Sequence, residues 1–503
     1  MTRSRRGILG FLLLALTAPP GPAVGRGLVP SSAVLRHLTA RGLAVSAEVV
    51  ALGPGGRILT RFQPDLPLIP ASLSKLFVAA RALRRWGGRH RFTLAVEKTT
   101  PLRDGYLSGP LVLVDSGDPG LVHDNMLRTA WEARALGLTA VQGGLVLVAA
   151  GYGRPPCRLA DRCRAMRESR HAYAAQPTSL AADYGTIDVL VAPGSASGAP
   201  ARVAFLPFPP AGIRLVNRVS TVAPANRRPL AIRQRLSHGR ESVRVTGAIA
   251  VGHRPLRLYV AAAHPDALAA ALWAGAFARA GIRIRGQTVI RRHPPPGSTV
   301  WFVKRSVTLA TLIGRMLAYS NNFIADDLTF DLAREVGGSR PRAPTLPEAS
   351  RALTRALTPW LARWGARPPV RLESGSGLSR RNRSSAADLI AVLAGMAADG
   401  RDFPAFWAAL PPAGESPLAF LTAGHPVWRR CFFVKSGTLS DPVSVLGLAG
   451  YFRRADGGIG AFAVLVNGTP AHPGFSITPV LAALRRFLTP FAGSGLSAGT
   501  GCR

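Results

Sequence analysis

The chain has 503 residues, of which 47% are hydrophobic and 18% charged. This composition excludes a single small module and wholesale disorder, and it predicts two or three domains with buried cores. Lys and Arg total 63 against 26 Asp and Glu, a net charge of +37, an excess that draws anionic partners. Only Lys75, Lys98, Lys304 and Lys435 among those bases are lysines, and the arginines are scattered without long like-charge runs or interleaved aromatics. No specific nucleic-acid platform is therefore predicted. An anionic envelope polymer or an acidic exterior accounts for the charge equally well.

At the start of the chain, Arg3, Arg5 and Arg6 precede the apolar run 8–16, and Pro19, Pro20 and Pro22 follow it. The pattern reads as a secretory signal over 1–25, too short to span a bilayer. Residues 4–9 also resemble a twin-arginine signal, so either general secretion or twin-arginine export fits. No Cys follows the run to accept a lipid. The expected location is periplasmic or otherwise extracytoplasmic, with no stable membrane span.

From residue 26 the pattern predicts a helix over 33–39, a hairpin of strands 44–51 and 57–62 around Gly53–Gly56, and a helix running to Trp86 that Gly87 and Gly88 end. Between 101 and 282 short strand-like runs (111–114, 144–149, 187–192, 242–248, 258–262) alternate with Pro-, Gly- and Arg-rich loops, the pattern of a mostly β insertion. Helices return at 308–319, 323–334 and 348–364, with Pro359 expected to kink or break the last. Strands 430–435, 444–452 and 460–466 form an antiparallel meander, after which Ser476 is expected to cap a helix with Val480, Leu484, Phe487 and Leu488 on its apolar face. The Gly/Ser-rich tail 491–503 reads as mobile. Cys157 and Cys163 could bridge a local loop, whereas Cys431 reads as a small core side chain.

Three short motifs carry chemistry. Ser72 and Lys75 stand three apart at a helix start, which puts both on one face beside the positive end of the helix dipole. Tyr319-Ser320-Asn321-Asn322 falls at a joint between two helical runs that could aim a hydroxyl and an amide into a cleft. Lys435-Ser436-Gly437-Thr438 ends an apolar strand, where the glycine would let a substrate lie close to the backbone. Singly these read as a helix cap, a polar junction and an edge strand guarded by Lys. Jointly and in this order they form the Ser-x-x-Lys, Ser-x-Asn, Lys-Ser/Thr-Gly set shared by penicillin-binding proteins and related β-lactamases.

With these residues the sequence resembles the D-alanyl-D-alanine carboxypeptidase/endopeptidase family, the class C low-molecular-mass penicillin-binding proteins. Residues 111–119, ending in Gly117-Asp118-Pro119, are similar to a family segment, as are 175–180 and the run Ser374-Gly375-Ser376-Gly377-Leu378-Ser379-Arg380. The long gap from Ser72 to Ser320 suits this family's insertion and not a compact β-lactamase. The resemblance implies an α+β fold: a penicillin-binding/β-lactamase-like transpeptidase domain, with an antiparallel sheet flanked by helices plus an all-helical half. It implies a catalytic domain over 26–100 and 283–490, and a long, mostly β insertion over 101–282 between the first and second motifs.

The implied activity is that of a serine DD-carboxypeptidase, with DD-endopeptidase cleavage of D-Ala-diamino acid cross-links as a second activity, on peptidoglycan stem peptides. Ser72 would attack, Lys75 with a lowered pKa would take its proton, Ser320 would relay a proton to the leaving amine, and Asn322 would hold the peptide backbone. Lys435, Ser436 and Thr438, with Gly437 between them, would bind the terminal carboxylate, and the N–H groups of Ser72 and Thr438 would form the oxyanion hole. β-Lactams are the implied covalent inhibitors, and no metal or organic cofactor is implied.

Three departures stand out: Ser436 where Thr is commoner, Glu373-Ser374 where the signature has Asp before Gly375, and no acid in 148–152 where the insertion would help recognise the diamino acid. A β-lactamase or esterase on the same core, and a non-catalytic cell-wall-binding scaffold, are the alternative readings.

Overall fold

The structure, a computed structural model, describes residues 32–492 except 54–55, 150–151, 154, 158, 160–162, 165–170, 238–239, 338–343, 368–369, 416–417, 422–424 and 455. The expected signal segment and the tail beyond Ala492 lie outside the described residues. Phe491, which opens the expected tail, instead packs on the core, and Ala492 is buried there.

A five-stranded antiparallel sheet is ordered Phe432–Leu439, Val445–Arg453, Ile459–Asn467, Ala44–Ala51, Arg57–Phe62. Ala44–Ala51 is buried on both faces because it lies inside the sheet. Its odd residues, Val45, Ala47 and Val49, face a core closed by helices Ala33–Ala40 and Ile477–Leu488. The opposite face meets helices Ser74–Trp86 and Ala386–Ala397, which lead into a helical half with Leu309–Ala318, Asn322–Gly337 and Leu346–Arg363. This is the α+β arrangement the resemblance implied.

Four sequence expectations change. The helix Leu346–Arg363 runs through Pro359 unbroken. Pro359 and Arg355 are both exposed, so water can take the carbonyl that the ring deprives of its partner. Ser476 stands at the N-cap of Ile477–Leu488, but its side chain makes no capping bond. Cys431 is buried as expected, yet it is disulfide-bonded. Residues 426–431 form a short helix before the strand, which starts at Phe432. Cys157 and Cys163 are bridged.

The second unit is richer in helix than its sequence suggested. Its five-stranded sheet is ordered Thr288–Arg291, Leu145–Ala149, Leu111–Asp115, Thr93–Lys98, Thr299–Arg305. Strands Leu111–Asp115 and Leu145–Ala149 pair in parallel, and a parallel pair needs a crossover, here the helix His123–Ala135. A second helix, Pro265–Arg279, packs on it; its nearly continuous Ala and Leu content hides the helical period. Thr93–Lys98 and Thr299–Arg305 pair with each other in this sheet, although they flank the expected 101–282 segment. A small four-stranded sheet, ordered Arg283–Ile284, Ala140–Val141, Tyr106–Leu107, Leu102–Arg103, and two three-stranded sheets complete the unit, the latter being Arg202–Leu206, Thr186–Ala192, Leu256–Ala261, and Ile213–Val222, Arg240–Ala250, Arg228–Ser237.

Candidate active site

Ser72 lies in the single 3-10 turn Ala71–Leu73 that feeds the helix Ser74–Trp86. The turn sits on the sheet because two glycines clear a seat for it. Gly437 faces Gly447 across neighbouring strands. A Cβ at 437 would stand 2.7 Å from Pro70 O and 3.0 Å from Ser72 N, and one at 447 would stand 2.7 Å from Leu73 Cδ1. The glycine of the third motif thus makes room for the backbone of Ser72 itself, where the sequence suggested room for substrate. A third glycine closes the seat from the other side: Gly377 adopts φ +85°, and a Cβ there would meet Ala71 O at 1.8 Å. Ala71 itself is held at φ 49°, a left-handed conformation that costs an L residue roughly 1–2 kcal/mol and persists only when its surroundings impose it.

Lys75 is wholly buried. Its Nζ lies 3.0 Å from Ser72 Oγ, 2.7 Å from Asn322 Oδ1 and 2.6 Å from the Ser376 carbonyl. The amide oxygen and the carbonyl can only accept, whereas the hydroxyl can also donate. Nζ can therefore donate to all three, and of the three partners only the Ser72 hydroxyl could give it a proton. Asn322 Nδ2 donates to the Tyr173 carbonyl at 3.1 Å, which fixes which end of the amide faces Lys75.

The Ser376 carbonyl is held in turn. Its N–H and Oγ both donate to the buried Asp326 carboxylate at 2.9 Å. Asn382 Nδ2 donates to Ser74 Oγ and to the Ser374 carbonyl at 2.9 Å. Ser374 Oγ accepts the N–H groups of Gly377 and Ser379 at 3.2 Å, supplying an acceptor where the family signature has Asp. The Glu373 carboxylate is met by Arg371 at 3.4 Å and by the Ser379 hydroxyl at 3.5 Å.

Ser320 follows the helix Leu309–Ala318 at φ 52°, and Asn321 Oδ1 caps the next helix by accepting Ile324 N–H at 3.0 Å. The reversal presents Ser320 to a cleft of ≈ 890 Å³ that Ser72, Asn322 and Thr438 also line, with Arg164, Tyr173, Arg380 and Asp441 on its walls. Lys435, Ser436 and Gly437 are not part of that lining. Lys435 is buried, donates to the Ser436 carbonyl at 2.6 Å, and is pushed down to about 7 by burial. Near neutral pH its charge is thus finely balanced.

Sequence reasoning missed Tyr173 and Asp326. Tyr173 acts through its backbone carbonyl, which has no residue signature, and Asp326 looks like an ordinary helix surface residue. Residues 374–380 were visible as a family-like run, though not as the clamp on Lys75. In the stretch 148–152, Tyr152 stacks on Phe330 at 4.4 Å between ring centres, tying the insertion to the helix Asn322–Gly337.

A sheet with helices on both faces, a helical half, and at their junction a cleft-lining Ser72 held against buried Lys75 and Asn322 define an active-site serine hydrolase of the penicillin-binding class. Comparison with known proteins narrows the class. The model of the D-Ala-D-Ala carboxypeptidase 3 (S13) family matches residues 36–485. The D-alanyl-D-alanine carboxypeptidase of Actinomadura sp. (strain R39) is 28% identical over 475 residues, covering 92% of this chain and 84% of that protein. The D-alanyl-D-alanine carboxypeptidase DacB of Haemophilus influenzae is 25% identical over 421 residues, 82% of this chain and 83% of that one. The crystal structure of penicillin binding protein 4 from H. influenzae superposes with a TM-score of 0.67 at 21% identity, covering 89% of this chain and 97% of that one. The chain belongs to the D-Ala-D-Ala carboxypeptidase 3 (S13) family, a family of serine peptidases.

Proposed function

We propose that this protein removes the terminal D-alanine from peptidoglycan stem peptides in an extracytoplasmic compartment, through an acyl-enzyme at Ser72 that β-lactams also form. The observation that carries this reading is the short contact from Lys75 Nζ to Ser72 Oγ inside a buried network that leaves only the hydroxyl able to donate to it.

In the proposed cycle Ser72 Oγ attacks the carbonyl of the penultimate D-alanine while its proton passes to Lys75 Nζ. The carbonyl electrons move onto oxygen, where the N–H groups of Ser72 and Thr438 would receive them; a donor of this kind is worth about 3 kcal/mol. Collapse of the tetrahedral species expels the D-alanine amine, which takes a proton through Ser320. Water, deprotonated by the same base, then cleaves the ester and regenerates Ser72. Asn322 holds the substrate's peptide backbone. Lys435, with Ser436 and Thr438, receives the terminal carboxylate, and an arriving anion favours the ammonium form of a lysine balanced near 7. Cleavage of D-Ala-diamino acid cross-links needs the same steps with a larger leaving amine.

The test is to incubate the mature protein and Ser72→Ala with a fluorescent penicillin, followed by a denaturing gel and intact mass. A stable adduct on the wild type alone supports the reading. Rapid release of the adduct with penicilloate turnover would indicate a β-lactamase, and no adduct on folded wild type would favour the scaffold reading.

A further inference from the structure

Between residues 189 and 265 the chain holds eleven arginines, no lysine and one acid, Glu241. In sequence they are dispersed; strand pairing brings five of them together. In the sheet Ile213–Val222, Arg240–Ala250, Arg228–Ser237, the central strand pairs in parallel with one neighbour and antiparallel with the other. The register aligns three rows across it: Arg214–Ser242–Arg235, Val216–Arg244–Arg233 and Arg218–Thr246–Ala231. Paired residues share a face, and so do residues two apart.

The other face, with Leu215, Val219, Val243, Val245 and Ile232, packs on the core of the insertion. Arg214, Arg218, Arg233, Arg235 and Arg244 are all exposed. None of their guanidiniums has a hydrogen bond or ion pair among the described residues. Glu241 is buried on the opposite face. The result is a lattice of like charges in which Arg233 stands about 4.8 Å across the strand pair from Arg244 and about 7 Å along its own strand from Arg235, with Arg214 and Arg218 on the far strand of the same face.

Folding alone does not favour this arrangement. Arg233 stands directly opposite Arg244, and like charges so placed destabilise a strand pair. A polyanion laid across the face would reverse the sign of every such contact, and the planar guanidinium suits oxyanions through paired N–H donors. The nine positions carry no aromatic ring on which bases could stack and no large apolar wedge to enter a bilayer. We infer that this sheet face docks the enzyme onto peptidoglycan through the carboxylates of its peptides, holding the chain on the polymer that carries its substrate. The inference rests on the function proposed above only for the identity of that polymer.

The test uses the full mature chain carrying Ser72→Ala, so that binding is read without turnover. Its co-sedimentation with purified sacculi is measured at low and near-physiological salt. The variant R214Q/R218Q/R233Q/R235Q/R244Q is compared with R41Q/R57Q/R355Q/R363Q/R486Q, which removes the same charge from exposed sites on the catalytic unit. The lattice variant is expected to lose roughly tenfold or more in apparent affinity and to show a shallower salt dependence, while the control changes by about twofold or less. In the Ser72 background the lattice variant still forms the penicillin adduct and melts no lower, since repulsion is relieved. Equal losses in the two variants, or none in either, would overturn the inference. So would a lattice variant that binds sacculi normally but loses binding to polyphosphate, anionic vesicles or duplex DNA, which would make one of those the partner. Failure of the proposed activity is read separately, as a missing penicillin adduct.

Discussion

The helix Asn322–Gly337 buries carboxylates on two faces and treats them in opposite ways. Asn322 and Asp326, one turn apart, look toward Ser72; Asp326 receives two hydrogen bonds from Ser376, and through it the carbonyl that holds Lys75 is fixed. Asp327 and Asp331, also one turn apart, look toward the insertion. Neither oxygen of Asp331, nor Oδ1 of Asp327, has a partner among the described residues. Both carboxyls are pushed well above the usual range, first by burial and then by acidic neighbours, Asp331 ahead of Asp115 and Asp118 for Asp327, and Asp115 and Asp118 for Asp331. Asp115 rises to about 7 and Asp118 to about 6, each chiefly through burial. Burial depth is alike on the two faces; the supply of N–H and O–H donors differs. Donors make a buried carboxylate useful for positioning, and a buried carboxyl without them holds its proton.

The largest expected effect lies on the first face. Lys75→Ala should lower penicillin acylation by about 10³–10⁴-fold, the upper range for loss of a general base, with Ser72 still present by intact mass. A loss of tenfold or less would move the base role elsewhere. Next, Asp326→Ala releases Ser376 and with it the carbonyl that aims Lys75; acylation should fall by about 10²-fold, the scale of a small misplacement at a reacting centre. The separation of the two faces predicts that Asp327→Asn/Asp331→Asn leaves acylation at pH 6 within about twofold, a ceiling set by the distance from any reacting group.

That double variant should change the pH profile of stability instead. All four folded carboxyls titrate above their unfolded values, so their stabilising contribution is full at acid pH and is lost as pH rises from about 4, through about 6 for Asp118, about 7 for Asp115 and further up for Asp327 and Asp331. Arg315 beside Asp118 and Arg334 beside Asp331 oppose this, and Glu335 adds to it. Wild-type protein should therefore melt several degrees lower at pH 8 than at pH 5, and the Asn pair should flatten that slope; an unchanged slope would place the orphaned carboxyls outside the joint's energetics. The smallest effect concerns Lys435. Because burial lowers it to about 7, the KM for a peptide ending in a free carboxylate should rise a few-fold between pH 7 and 8.5, while a substrate amidated at that end shows no such rise.

Much of the catalytic unit was legible in the sequence because its signals are local. Strands Ala44–Ala51 and Arg57–Phe62 are bounded by a Gly-rich turn, and the helix carrying Lys75 ends at Gly87. Ser72, Lys75, Ser320 and Asn322 were visible because fixed spacing on a helix or at a joint leaves a pattern. What stayed hidden depends on partners distant in sequence. Asp326 has meaning only beside Ser376, Gly437 only beneath Pro70, and the guanidinium lattice only once Arg233 and Arg244 fall opposite each other. Helix Pro265–Arg279 was lost for another reason: an element covered on most sides shows no polar stripe.

The threefold grip on Lys75 also bears on how the chain matures. Its contacts reach forward 247 residues to Asn322 and 301 to Ser376, and the strand that begins near the N-terminus pairs with Ile459–Asn467 close to the other end. Contacts of such sequence separation form late and slowly. A nascent chain that has emerged only as far as Ser72 has no lysine poised against that hydroxyl and no place inside a sheet. The hydrolase is therefore chemically silent until nearly the last strand is delivered, and adduct formation with a labelled penicillin can serve as a clock for completed folding.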